Sequence, residues 1–169
     1  HEDLPVAFMR HATSKISTQS DLDRIGTLGF RGEALASIAA VSNVQILTMA
    51  EGAQIGSRIE YAGSEQIYYG EAGSPKGTTV VVKDLFYNVP ARRKFLKKDA
   101  TETAYISQYV ERIAISHPEI SLRFIVDSRV KFNTSGNGNL RDAIYAVFGK
   151  EFVDSLLPIE RTDGKVTVR

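Results

Sequence analysis

A glycine-rich turn that runs directly into a helix constrains this chain more than any other feature of its sequence. The turn is Gly29-Phe30-Arg31-Gly32, and Leu35, Ile38 and Ala39 follow with the spacing of one helical face. Because glycine lacks a Cβ atom, such a turn can bring its backbone close to a bound group. The helix start then presents free N–H groups and the positive end of its dipole to an anion, most often a phosphate. The stretch therefore predicts either an anion site, to which Arg31 could add a bidentate charge, or a tight turn with a surface arginine.

Composition places the chain among ordinary globular proteins and excludes several kinds of site. Of its 169 residues, 43% are apolar and 24% are charged, so a packed core is expected. The formal net charge of +1 indicates no nucleic-acid partner by itself. The absence of cysteine excludes disulfides and thiolate metal sites. No apolar run approaches the roughly 18 residues of a membrane span, so we expect no membrane partner.

The first half of the chain is predicted to contain a strand-rich segment after the glycine turn. Strands are expected at Asn43–Met49, Gly56–Tyr61 and Gln66–Tyr69, and their turns contain glycine, which indicates an antiparallel meander. The β-branched run Thr78–Lys83 is typical of a central strand. Before the glycine turn, the pattern predicts a helix over 2–10 and a weak capping box at Ser20–Asp23.

The second half is predicted to be mainly helical. Helices are expected over 90–96, 103–117, 140–148 and 151–157, with hairpins over 120–132 and around Asp163-Gly164. The small and polar residues Thr134–Asn139 are typical of a linker. We therefore predict a first domain over 1–134 and the start of a truncated second domain over 135–169.

Three segments occur in a fixed order: ATSK at 12–15, GFRGEAL at 29–35 and GTxxxVxDLFxNxPARRKFL at 77–96. Together they resemble the nucleotide-binding region of the MutL family of DNA mismatch-repair ATPases, which belongs to the GHKL superfamily with DNA gyrase, the large heat-shock chaperone and the histidine kinases. The resemblance implies an α/β fold of the α+β sandwich type. A mixed, largely antiparallel sheet would carry helices on one face, without the first elements of the GHKL ATPase fold, and the start of a second α/β domain would follow.

The resemblance also implies which residues face a nucleotide. It assigns the phosphate side of an ATP site to Thr13, Ser14, Lys15, Gly29, Phe30, Arg31, Gly32, Glu33, Ala34 and Leu35. Thr78 matches the threonine that reaches the adenine side, and Thr79 is the alternative register. A threonine hydroxyl can hydrogen-bond an adenine edge or a bridging water. From the residues alone, the alternative is that Thr13, Ser14 and Lys15 belong to a solvated loop and that Thr78 and Thr79 only favour a strand.

The family's catalytic groups are expected to lie outside these 169 residues. The family's E-x-x-x-N helix, whose Glu activates water and whose Asn holds Mg²⁺, has no match here, nor has the DNGxGI segment that binds adenine. The phosphate-contacting lysine of the family's second domain is also expected to be missing. We therefore expect ATP and Mg²⁺ as cofactors of the intact protein, no hydrolysis by this fragment, and no catalytic or metal-binding residue in it. Glu33 is not assigned as a base, because an acid in the first helical turn interacts favourably with the helix dipole.

Five basic residues lie within seven positions: Arg92, Arg93, Lys94, Lys97 and Lys98. Such a run is either a solvated helix face or a sequence-independent contact with DNA phosphates, and the resemblance favours DNA. It further implies a mismatch-recognition protein, a downstream endonuclease or helicase and a homodimer formed on ATP binding as partners, in the bacterial cytoplasm near the nucleoid. Two alternatives stay open: another GHKL ATPase, such as a type II topoisomerase ATPase subunit, and a non-enzymatic scaffold that binds DNA or partners.

Overall fold

A four-stranded sheet organises the first part of the chain. The computed structural model describes residues 3–16, 18–157, 159, 161–164 and 166–168, which form two compact units that divide between Leu96 and Lys97. The strands of the first unit are β1 (Asn43–Met49), β2 (Gly56–Ala62), β3 (Glu65–Ala72) and β4 (Gly77–Lys83). Their spatial order is β3-β2-β1-β4, and every pairing is antiparallel. The predicted meander is therefore confirmed.

The position of β4 corrects the sequence prediction. The run 78–83 was expected to be a central strand, but among the described residues β4 pairs only with β1 and lies at the edge of the sheet. Val80 and Val82 are about half exposed. A run of β-branched residues favours a strand wherever it lies, so the pattern alone did not distinguish an edge strand from a central one.

The first unit has four short helices: α1 (Asp3–Val6), a 3₁₀ helix at Gln19–Arg24, α2 (Ala34–Ala39) and, after β4, α3 (Pro90–Arg93). Of these, α1 packs on β2 and α2 on β1. Val44, Ile46 and Ile59 alternate along β1 and β2 and form the core with Phe8 and Ala39, since every second residue of a strand faces the same side. Phe8 stacks on Tyr61 with ring centroids 4.1 Å apart, and burial raises the pKa of the Tyr61 phenol.

Several predicted boundaries in the first unit are wrong. The helix expected over 2–10 consists of α1 alone, because the chain then turns through residues 7–11, where His11 has a φ of 65°. The capping box lies two residues earlier than predicted, and the Asp21 carboxylate accepts the Thr18 N–H at 2.8 Å. The helix expected over 90–96 ends at Arg93. For the two helices, the apolar spacing predicted a helix at the right place but did not determine the residue at which it ends.

The second unit contains α4 (Asp99–Ser116), β5 (Arg123–Val126), β6 (Arg129–Asn133), α5 (Leu140–Phe148), α6 (Lys150–Asp154), β7 (Arg161–Asp163) and β8 (Val166–Val168). The two predicted hairpins are present as β5-β6 and β7-β8. Asn139 caps α5, and its side chain accepts the N–H groups of Arg141 and Asp142. The helix predicted over 151–157 begins at Lys150 and ends at Asp154.

The predicted linker at 134–139 is packed into the second unit. Thr134 is buried, its hydroxyl donates to the Ile120 carbonyl at 3.0 Å, and it accepts the Leu122 N–H at 2.9 Å. A Cβ atom at Gly136 would lie 2.5 Å from the Ser121 nitrogen. These contacts show that 134–139 is a packed loop, so the interpretation as a linker was wrong. Small polar residues are typical both of linkers and of tight, hydrogen-bonded loops, so composition did not distinguish the two. The domain boundary near Ser135 stays a prediction.

Candidate nucleotide-binding site

The ATSK and GFRGEAL segments meet at Gly32. This residue has a φ of 63°, and a Cβ atom added to it would lie 2.1 Å from the carbonyl oxygen of Ala12. Only glycine combines this backbone conformation with so close an approach. Two segments that the sequence assigned separately to the phosphate side of one site therefore form a single packed structure.

A side-chain contact joins the same two segments. The Nδ1 atom of His11 lies 3.3 Å from the Oε1 atom of Glu33, and both side chains are substantially exposed. Glu33 is the residue immediately before α2, and its side chain does not cap the helix. The sequence explained Glu33 by the dipole of the helix that it begins. The structure adds His11 as its partner, a pairing that no local pattern indicated.

The remaining predicted phosphate contacts divide into exposed groups and one core residue. Ser14, Lys15, Arg31 and Ala34 are exposed, and the Arg31 guanidinium lies 5.7 Å from the centroid of the Phe30 ring. The Thr13 hydroxyl accepts the Lys15 N–H at 3.1 Å, which shapes the turn between them. Leu35 packs against the core cluster. A ligand at this loop would therefore meet the backbone at Leu35 and not its side chain.

Gly29, unlike Gly32, occupies a position that a residue with a Cβ atom could also occupy. A Cβ atom added at Gly29 would meet no atom within 4 Å, and its φ lies outside the left-handed region. The expectation that both glycines permit a tight turn therefore holds in this structure for Gly32 alone. Open space beside Gly29 is compatible with a bound group there.

Thr78 and Thr79 lie on opposite faces of the sheet. Thr78 pairs with Thr48 and alternates with Val80, which pairs with the core residue Ile46, whereas Thr79 pairs with Leu47. Thr78 is therefore on the face that carries α2. Leu35 and Ile38 of α2 pack against the core cluster that contains Val44 and Ile46 of β1. The structure thus places Thr78 on the face of the sheet that carries α2.

The end of α2 is held by two loops that sequence reasoning did not single out. The carbonyl oxygens of its last residue and of the two residues after it accept one hydrogen bond each: Ser64 N–H to Ala39 at 3.1 Å, the Asn88 side chain to Ala40 at 2.9 Å, and Phe86 N–H to Val41 at 2.6 Å. Asp84 and Phe86 have φ values of 54° and 63°. Carbonyls at a helix end have no partner within the helix, so these loops complete it. The loop after β4 corresponds to the DLFxN part of the third motif, which was the only sequence signal for its role in completing α2.

The five basic residues do not lie on one helix. Arg92 and Arg93 end α3 and Lys94 follows it, whereas Lys97 and Lys98 belong to the second unit and immediately precede α4. All five are exposed. Arg93 also lines a small cleft with Asn43, Asp84, Leu85 and Tyr87. The structure therefore groups Arg92, Arg93 and Lys94 in the first unit.

The described residues offer no ready metal site. No three His, Asp or Glu side chains among them are grouped so that they could hold a metal ion. In the described portion of the chain, no helix has the length and apolar character that crossing a lipid bilayer requires.

No family model matches the chain, but curated relatives are close. It is 52% identical over 159 residues to the DNA mismatch repair protein MutL of Agathobacter rectalis, an alignment that covers 94% of this chain and 24% of that protein. It is 50% identical over 155 residues to MutL of Thermoanaerobacter pseudethanolicus, covering 92% of this chain and 25% of that protein. The chain belongs to the MutL family. It spans about a quarter of the length of these MutL relatives.

Solved structures support the same family and fold. The MutL ATPase domain of Aquifex aeolicus, complexed with ADP, superposes with a TM-score of 0.65 at 29% identity, over 78% of this chain and 52% of that one. The N-terminal domain of a DNA repair protein has the same fold, with a TM-score of 0.69 over 95% of this chain and 47% of that one. The predicted α/β fold of a MutL GHKL ATPase domain is therefore confirmed, and MutL mismatch repair is supported over a topoisomerase subunit.

Proposed function

We propose that this chain supplies the phosphate-facing loops and one adenine-facing threonine of an ATP site in a MutL-type DNA mismatch-repair protein. The observation that carries the proposal is the packing of Gly32 against Ala12, which joins the two phosphate-side segments. The ADP bound to the related Aquifex domain supports a nucleotide as the ligand.

In the proposed site, each segment has a distinct role. The Glu33 carboxylate pairs with His11 and does not accept a hydrogen bond from the start of α2. Backbone N–H groups at residues 29–34 can therefore donate to phosphate oxygens. The exposed Arg31 guanidinium neutralises phosphate charge and can bind two oxygens at once. Thr13, Ser14 and Lys15 close over the phosphates from the neighbouring segment. Thr78 contacts the base.

The proposed activity of the intact protein is slow ATP hydrolysis that switches a homodimer between open and closed states. Ordering of phosphate-side loops by a nucleotide is a common basis for such switches. Mg²⁺ would be bound together with ATP, and we assign it no ligand in this chain. The switch would couple a mismatch-recognition protein to a downstream endonuclease or helicase, in the bacterial cytoplasm at the nucleoid. Arg92, Arg93, Lys94, Lys97 and Lys98 would contact DNA phosphates without reading sequence.

A thermal-shift experiment tests the nucleotide site. A ligand that binds only the native state raises the melting temperature of the protein. The full-length protein is heated with and without Mg²⁺ and a non-hydrolysable ATP analogue, as wild type, Arg31→Ala and Arg129→Ala. Arg129 is an exposed arginine of β6 in the second unit, so it is the matched control.

The proposal expects the analogue to raise the melting temperature of the wild type and of Arg129→Ala, and to raise that of Arg31→Ala by much less. If all three proteins fold and none responds, the nucleotide site is rejected and the scaffold alternative is favoured. A full response by Arg31→Ala would remove Arg31 from the site.

A further inference from the structure

We propose that Thr48 is a positioning residue that makes Thr78 a hydrogen-bond acceptor toward the base and so favours adenine over guanine. The inference rests on the proposed nucleotide site. It adds a residue that lies in none of the three motifs and that contacts the base only through Thr78.

The two hydroxyls form a pair across neighbouring strands. Thr48 near the end of β1 is the direct partner of Thr78 near the start of β4, and their Oγ1 atoms are 2.8 Å apart. The Thr48 hydroxyl also lies 3.3 Å from the carbonyl oxygen of Gly77 and can donate to it. Thr78 is exposed whereas Thr48 is partly buried. A ligand on this face would therefore reach Thr78 first.

The Thr48 hydroxyl, the Thr78 hydroxyl and the Gly77 carbonyl share only two protons, which limits how they can be hydrogen-bonded. Each hydroxyl has one proton to donate and two lone pairs that accept. If Thr48 donates to the Gly77 carbonyl, Thr78 donates to Thr48, and the outward side of Thr78 has only lone pairs. If Thr48 donates to Thr78, the Thr78 proton is free to point outward. The Gly77 carbonyl can only accept, so its hydrogen bond from Thr48 favours the first arrangement.

The first arrangement distinguishes the two purines by their chemistry. Adenine has an amino group at position 6, which donates, whereas guanine has an oxygen there, which accepts. An outward lone pair on Thr78 matches the amino group directly, or through one water. It leaves the guanine oxygen opposite another acceptor. Thr48 thus sets the polarity that Thr78 presents.

A cross-strand threonine pair can also serve only to stabilise a sheet, so the test needs a readout that stability does not move. Dissociation constants of non-hydrolysable ATP and GTP analogues are measured by calorimetry on the full-length protein. The variants are Thr48→Val, which removes the hydroxyl at similar volume, Thr48→Ser, which keeps it, and Thr79→Val on the opposite face as the control. Thr48→Ala is the second hydroxyl-free variant if valine disturbs folding.

We expect the preference for the adenine analogue to fall about three- to tenfold in Thr48→Val, the range of one neutral hydrogen bond, and to persist in Thr48→Ser and Thr79→Val. An unchanged preference in a folded Thr48→Val or Thr48→Ala protein that still binds the ATP analogue overturns the role of Thr48 and leaves the proposed function intact. Equal loss in Thr48→Ser, or in Thr79→Val, overturns it as well. A wild-type protein that binds neither analogue rejects the proposed function itself, and this inference with it.

Discussion

The side-chain amide of Asn88 donates to the carbonyl oxygen of Ala40 at 2.9 Å, across 48 positions of sequence. This bond joins the loop after β4 to the end of α2, whose other end carries the glycine turn. The Phe86 N–H bond to Val41 lies beside it. The proposed phosphate loop is therefore held in place partly by residues of the third motif that do not face the site.

Replacing Asn88 with alanine should destabilise the first unit without removing a nucleotide contact. Loss of one hydrogen bond typically costs about 0.5–1.5 kcal/mol, and we expect the free energy of unfolding in urea to fall by that amount. Gln54→Ala, in the exposed β1–β2 turn, is the control and should change little. Unchanged stability in Asn88→Ala would mean that water replaces the amide at no cost.

The two glycines of the turn should respond differently to alanine. Gly32→Ala places a Cβ atom against the Ala12 carbonyl and strains a left-handed backbone, so we expect a loss of about 1–3 kcal/mol in unfolding free energy and a weaker thermal shift with the ATP analogue. Gly29→Ala meets open space and should leave the apo protein's melting temperature nearly unchanged. Equal effects of the two substitutions on the apo protein would contradict the packing described for Gly32.

Acid sensitivity should depend on Glu60. Hydrogen bonds from Arg58, and then from Gln45, hold the pKa of the Glu60 carboxyl below its ordinary value of 4.5. Since the folded-state pKa is the lower one, this carboxylate adds stability above about pH 4.5, and the contribution disappears as the pH falls through the folded-state value.

Glu60→Gln should therefore lower the urea midpoint at pH 7 and flatten its decline between pH 5 and about pH 3. Glu65→Gln, at the exposed start of β3, is the control. A Glu60→Gln protein whose midpoint declines as steeply as that of the wild type would rule out this contribution.

Removing basic residues should change the salt dependence of DNA binding. Each phosphate contact contributes about 0.9 to the slope of log affinity against log salt on duplex DNA. Arg92→Ala, Arg93→Ala and Lys94→Ala together should reduce the slope by up to about 2.7 if all three contact phosphates. Lys76→Ala, whose lysine pairs with Glu51 away from this run, should leave it unchanged. A slope unaffected by the triple substitution would identify the run as a solvated surface.

Local patterns were sufficient to predict the strands and the hairpins. Gly63 and Ser64 connect β2 to β3 with φ values of 58° and 76°, and such two-residue turns are readable from sequence because few residues tolerate them. The glycine-containing turns between the strands likewise predicted the antiparallel meander. The three motifs identified the family because they occur together and in order.

Helix ends and the environment of individual residues were not predictable in this way. The start of α2 at Ala34, the edge position of β4 and the burial of Thr134 all depend on which distant segment packs against each residue. Thr48 had no distinguishing neighbours in sequence, and only its pairing with Thr78 across 30 positions makes it notable.

The sequence by itself determined the order of elements and the glycine turn, because these depend on backbone preferences and side-chain periodicity within a few residues of one another. It also indicated the family, through the resemblance of three motifs in a fixed order. The tertiary structure alone decided that Gly32 lies against Ala12, that His11 meets Glu33, and that Thr78 faces the helices while Thr79 does not. Those relationships arise when separate segments share one core and compete for the same space and the same hydrogen bonds, which no single segment encodes.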